Sequence, residues 1–179
     1  AKRSGNPAAL RESKQGIADS HISMGVIYME QAERERSPAP LKDGVRMSSD
    51  KREQLLTEAL KEYFASLKLK EELLEQAKRS GNPAALRESK QGIAVSHINI
   101  GEVYIKQGKA AEGKKELEKG LALAKEIGSK ENVKYSYSGL ARADSALAAS
   151  LSFTPTLSKG EGEKRRWELW KSALENYKM

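Results

Sequence analysis

Cysteine is absent from these 179 residues, which removes disulfides, thiolate nucleophiles and Cys-ligated zinc at once. Histidine occurs only as His21 and His97, and no third ligand accompanies them at metal-site spacing. A Gly-rich phosphate loop, an HExxH pair and a nucleophile elbow are all missing. Acid pairs recur, but on helix surfaces with lysines nearby, as solvated helices require. These absences point away from catalysis and from any cofactor or metal. No run approaches the roughly 20 apolar residues needed to cross a bilayer, and the first residues lack a signal peptide's apolar stretch. We therefore expect a cytoplasmic protein. Aromatic residues make up 6% and hydrophobic ones 38%, against 32% charged. That balance suits helices with one buried stripe and a wide solvated face, in a chain long enough for one domain with a real core. The formal charge is +7, yet 32 basic residues are interleaved with 25 acidic ones. Interleaving reads as solvated helix faces; a nucleic-acid surface would need stacking aromatics or a continuous basic stripe.

What the chain does have is repetition. Residues 1–18, AKRSGNPAALRESKQGIA, recur unchanged as residues 77–94, and SHISMGVIYMEQ (20–31) is answered by SHINIGEVYIKQ (96–107). An offset of 76 separates two copies of one helical unit, the signature of a repeat protein. The identical blocks fit a recently duplicated or engineered gene. Helix punctuation is legible as well. Gly81 can end a helix in the left-handed conformation, Asn82 can cap the next and Pro83 sits in its first turn. Ser4, Gly5, Asn6 and Pro7 repeat that arrangement. Gly108 and Gly128 mark further ends, and Asp50 with Glu53 resembles a capping box. Helices are expected at about 7–32, 50–79, 83–107, 110–127 and 130–149, with a further one at 163–179.

A shorter period lies inside the long one. SKQGIAVSHINIGEVY (89–104) aligns with SKENVKYSYSGLARAD (129–144) at an offset of 40. On that scale the stretch from Tyr63 to Gly81 is seven residues longer than that from Leu117 to Gly128. The helix after Gly81 is seven longer than the one after Gly128. Seven residues are two helical turns with only about 20° of drift. Both helices can therefore lengthen by roughly 10 Å without turning their buried faces away. PAALRE at 7–12 gives the first helix the same extension.

His97, Ile100, Gly101 and Tyr104, and likewise His21, Met24, Gly25 and Tyr28, follow one spacing. In the second helices Ala59 precedes Tyr63 by four, and Gly113 precedes Leu117 by four. In this the helices resemble tetratricopeptide repeats, whose first helix carries a bulky residue, Leu-Gly and Tyr. The 40-residue spacing is similar to the longer variants of kinesin light chains and bacterial signalling proteins. The resemblance covers about residues 7–150. It implies an all-α solenoid of about three helical hairpins, in which the glycine lets paired helices approach closely and the histidines pack where the family often has an aromatic residue. It departs from the pattern at Asp144, where Tyr is expected. The organisation expected is an array over 1–150 with an inserted loop at 32–49, a linker at 151–162 and an amphipathic capping helix at 163–179. In that helix Trp167, Trp170, Leu174 and Tyr177 share one face. AKRSG (1–5) matches the end of a second helix, so the chain reads as beginning inside a hairpin, as a processed or trimmed piece of a longer array would.

Repeat arrays are usually binding surfaces. The resemblance implies a scaffold whose first helices line a concave groove, within a regulatory or signalling pathway. If His97, Ile100, Gly101 and Tyr104 pack the hairpin, then Val95, Ile98, Glu102, Ile105 and Lys106 should face that groove. By alignment, Asp19, Ile22, Val26, Met29 and Glu30 follow in the first unit, and Tyr135, Ser138, Arg142 and Ser145 in the third. Such a surface, aliphatic at its centre and charged at its edge, suits an extended or helical peptide with apolar anchors. Self-assembly into a homo-oligomer or domain swap is the competing reading, and non-specific nucleic-acid binding a weaker one.

Overall fold

A computed structural model describes residues 6–35, 49–150 and 159–178. Every regular element among them is helical: α1 (Pro7–Arg34), α2 (Ser49–Ser80), α3 (Pro83–Lys106), α4 (Ala110–Glu126), α5 (Lys130–Ser150) and α6 (Lys159–Lys178). The expected helices match to within a few residues. The largest departure is at α6, which starts at Lys159 and so takes in Gly160 and Gly162, both poor helix formers that read as loop. Of the expected insertion, residues 32–34 continue α1; its residues 36–48, and 151–158 of the expected linker, lie outside the described residues.

The helix ends form for the reasons the sequence supplies. Gly81, Gly108 and Gly128 have φ of 64°, 78° and 68°, the left-handed region that L-residues with a Cβ avoid. The Asn82 side chain accepts from the amides of Ala84 and Ala85 at 3.0 and 3.2 Å, and Asn6 accepts from Ala8 at 3.0 Å. Asp50 stands inside the first turn of α2 rather than ahead of it, because that helix begins at Ser49. Length differences follow the spacing in direction but not in size: α2 exceeds α4 by 15 residues (32 against 17) and α3 exceeds α5 by 3 (24 against 21), where the spacing called for seven in each.

The chain forms two compact units, Ala1–Gly92 and Ile93–Met179, and the division falls inside α3. In the first unit α1 packs on α2. Along α2 Leu56, Ala59, Tyr63, Ser66, Lys70, Leu73 and Ala77 are buried, alternating three and four apart, with Leu67 buried beside Ser66. That 3.5-residue period is a coiled-coil seam. It meets Ala18, Gly25 and Ala32, small buried residues every seventh position along α1. A Cβ at Gly25 would come within 2.8 Å of the Tyr63 ring, so glycine sets how closely the pair approaches. Burial pushes the Tyr63 phenol well above its ordinary pKa, and the hydroxyl stays protonated throughout the physiological range.

The second unit is organised around Leu117. Ile98, Leu117 and Leu140 form its core, with Ile105, Leu121 and Tyr137 packed against it. The buried stripe of α4 is Ala110, Gly113, Leu117, Gly120 and Ala124, small at nearly every position. Added Cβ atoms at Gly101 and Gly113 would come within 2.9 Å of the Gly113 carbonyl and 2.7 Å of the Gly101 carbonyl, respectively. Backbone therefore rests on backbone where α3 crosses α4. A Cβ at Gly139 would meet Leu117 at 2.6 Å, so α5 closes on the same leucine from its own side.

Candidate peptide-binding surface

Residues expected to pack and residues expected to bind separate differently from the sequence reading. Gly25, Gly101, Ile100, Ala59 and Tyr63 are buried, and Tyr28 and Tyr104 are half-buried. Met24 is not part of that packing: its side chain is exposed. The two histidines do more than fill space. His21 Nδ1 lies 2.6 Å from Glu62 Oε2 and His97 Nδ1 lies 2.7 Å from Glu116 Oε2. An ionised carboxylate can only accept, so Nδ1 carries the hydrogen in both pairs. Each bond clasps the first helix of a hairpin to the second. The glutamates stand directly before Tyr63 and Leu117, a coincidence of position that a search for acids at equivalent repeat positions would have found. Burial opposes ionisation of Glu116, but hydrogen bonds from Lys119 and His97 outweigh it and hold the carboxyl below its usual range.

Of the expected groove residues, Ile98 belongs to the core and Ile105 packs against it. Ile98 is buried beneath Gly120, whose added Cβ would meet its Cγ1 at 2.9 Å, and the partly buried Ile105 packs beside Gly113, whose added Cβ would meet its Cγ1 at 2.8 Å. The reason is the glycine content of α4. Facing helices that come this close reach further round α3 than one narrow stripe, and side chains flanking Gly101 on both sides become internal. What remains at the surface of the second unit is Val95, Glu102 and Lys106 on α3 with Tyr135, Ser138 and Arg142 on α5. Arg142 donates to Glu102, and Gly139 lets the two helices approach, since its Cβ would come within 2.9 Å of the Glu102 carboxylate. Burial raises the Glu102 carboxyl above its ordinary pKa, while Arg142 and Lys106 pull it back. Tyr135 is largely exposed one turn from Ser138 and two from Arg142. Ser145 is turned inward, donating to the Ala141 carbonyl at 2.8 Å.

In the first unit Val26 and Glu30 are exposed and Ile22 and Met29 half-buried. Asp19 is exposed but engaged, accepting at 2.6 Å from the ammonium of the buried Lys70.

Asp144, the departure from the repeat pattern, has a structural task. It is fully buried and accepts from Lys114 Nζ and Ser172 Oγ, each at 2.6 Å, and from Asn176 Nδ2 at 3.3 Å. One carboxylate thus joins α4, α5 and α6. The helix α6 packs on α5 through its small side, with Ala173 buried and Ser172 half-buried. Trp167, Trp170 and Leu174, expected to cover the last repeat, point outward and are more than half exposed. The side chain of Tyr177 lies outside the described residues.

Among the described residues no group of three or more His, Asp or Glu side chains could hold a metal ion, and no helix is long and apolar enough to cross a membrane. No family model, no curated protein and no solved structure matches the chain.

Proposed function

We propose that this chain is a protein-interaction scaffold of tetratricopeptide type. Its second unit takes a peptide or partner helix on the surface formed by Val95, Glu102, Lys106, Tyr135 and Arg142, within a regulatory or signalling pathway. The observation that carries the reading is the combination at α5: an exposed tyrosine beside an arginine already held by a half-buried acid. Aromatic and arginine side chains presented by helices are the groups that dominate recognition energies, and here the Arg142 rotamer is restrained by Glu102 before a ligand arrives. Elsewhere several basic side chains are drawn into pairs, among them Lys14 with Glu72, Lys78 with Glu75 and Lys119 with Glu116. That neutralisation favours a protein partner over nucleic acid.

The test is selection of a displayed random-peptide library on the immobilised chain, followed by titration of the enriched peptides. A shared motif with apolar anchors, bound at least tenfold more weakly by the Tyr135→Ala, Arg142→Glu double variant, is the expected result. Because Arg142→Glu also sets a second carboxylate beside Glu102, circular dichroism and a denaturant midpoint verify that the variant stays folded before its affinity is read. Enrichment without a motif, or affinity indifferent to the double substitution, would remove the reading.

A further inference from the structure

The duplicated block provides an internal comparison that concerns α1 of the first unit, not the surface proposed on the second. Residues 7–16 and 83–92 are the same ten residues, PAALRESKQG, and both stretches lie in the first unit. Their surroundings differ. In the second copy Ala85 and Ser89 are buried, and an added Cβ at Gly92 would meet the Lys70 side chain of α2 at 2.7 Å. In the first copy Ala9 and Ser13 are exposed, and a Cβ at Gly16 would meet nothing within 4 Å. The contrast continues along both helices at the same stripe. Leu10, Ile17, Met24 and Ile27 are 56, 49, 43 and 52% exposed. Their counterparts Ile93, Ile100 and Val103 are 5, 0 and 0% exposed, and Leu86 is half-buried. An apolar stripe of four large side chains over five turns exceeds the scattered exposure normal for a surface.

We propose that this outer face of α1 is a docking site for a partner helix with the contact chemistry of α2. Identical residues offer a partner the same contact surface. At the second copy the cover is a helix with a seam of period 3.5, whose Lys70 stem lies across the glycine while its ammonium reaches an acid, Asp19. The matching partner therefore carries apolar residues three and four apart and a long cationic side chain to cross Gly16. Charge supports the assignment. Glu88 of the second copy accepts from Arg11 at 2.7 Å, whereas its counterpart Glu12 is exposed with no partner among the described residues. A cationic group on the incoming partner completes that pair as well.

The chain's own α2 supplies the probe. A fluorescent peptide with the sequence of residues 60–80 is titrated against the whole chain by anisotropy, and the site mapped by amide chemical shifts. Intramolecular α2 keeps its own place through its high effective concentration, so the free site is the one the peptide should occupy. Saturable binding with shifts along Leu10, Ile17 and Met24 is expected. It should weaken at least tenfold in the Ile17→Glu, Met24→Glu variant. Gly16→Leu should weaken it as much: the position has open space in the free chain and leucine favours helix, so lost binding there cannot be lost folding. Absence of saturation at millimolar peptide, or affinity unchanged by these substitutions, would overturn the proposal. So would sedimentation showing that two copies pair through this stripe and that Ile17→Glu, Met24→Glu separates them, because the occupant would then be α1 of a second copy.

Discussion

At the scale of single residues, the chain is governed by what small side chains permit. A Cβ added at Gly101 would lie 2.9 Å from the Gly113 carbonyl and 2.7 Å from Leu117 Cγ, and neither backbone nor a buried leucine yields cheaply. Gly101→Ala should lower stability by about 1–3 kcal/mol, read as a shifted denaturant midpoint with an unchanged slope. Ser66 behaves oppositely. Its hydroxyl is fully buried with no hydrogen-bond partner among the described residues, so it bears a desolvation penalty with no return. Ser66→Ala should raise stability by about 1 kcal/mol in the same measurement. Glu116 adds a pH dependence with a definite sign. Its folded pKa lies below the unfolded value, so it contributes stability above the unfolded value of about 4.3 and loses it as pH falls through the folded one. The stability gap between wild type and Glu116→Gln should therefore be full at neutral pH and close progressively below about pH 4. A gap that widens on acidification would contradict the assignment.

Elements are where the sequence reading both succeeded and failed. Helix positions were legible because Gly81, Gly108 and Gly128 terminate, Asn82 and Pro83 initiate, and these act within a few residues of themselves. The extra turns of α1, 28 residues against 21 in α5, were legible for a related reason: a seven-residue insertion preserves a helix's buried face, whereas α2 exceeds α4 by more than the spacing gave. Which side of α6 would be buried was not. Composition favoured the tryptophan face, yet the helix packs through Ala173 and Ser172 because Asp144, fully buried on α5, takes its hydrogen bonds from Ser172 and Asn176. A buried carboxylate without donors is costlier than an exposed indole. Asp144→Ala should consequently destabilise the chain by about 3 kcal/mol. It should also speed hydrogen exchange in α6 at least tenfold more than in α1. Equal acceleration in both helices would mean that Asp144 serves the whole unit and does not anchor α6 in particular.

For the whole molecule, the two copies of PAALRESKQG make an experiment that needs no substitution. Amides of 83–92, in a helix covered by α2, should exchange more slowly than those of 7–16 in the free chain, with the copies distinguished by fragments extending to Met24 or Ile100. Addition of the α2 peptide should narrow that difference. Helical class, the repeat, the helix boundaries and the close glycine contacts were determined by the amino-acid order alone, since each depends on local conformation or on spacing along one helix. The tertiary structure alone decided that Ile98 is core and Ile105 packs against it, that Glu62 and Glu116 clasp the histidines, and that Ile17 is bare where Ile93 is covered. A side chain's exposure depends on what lies opposite it. Two identical segments carry identical local preferences and still meet different neighbours.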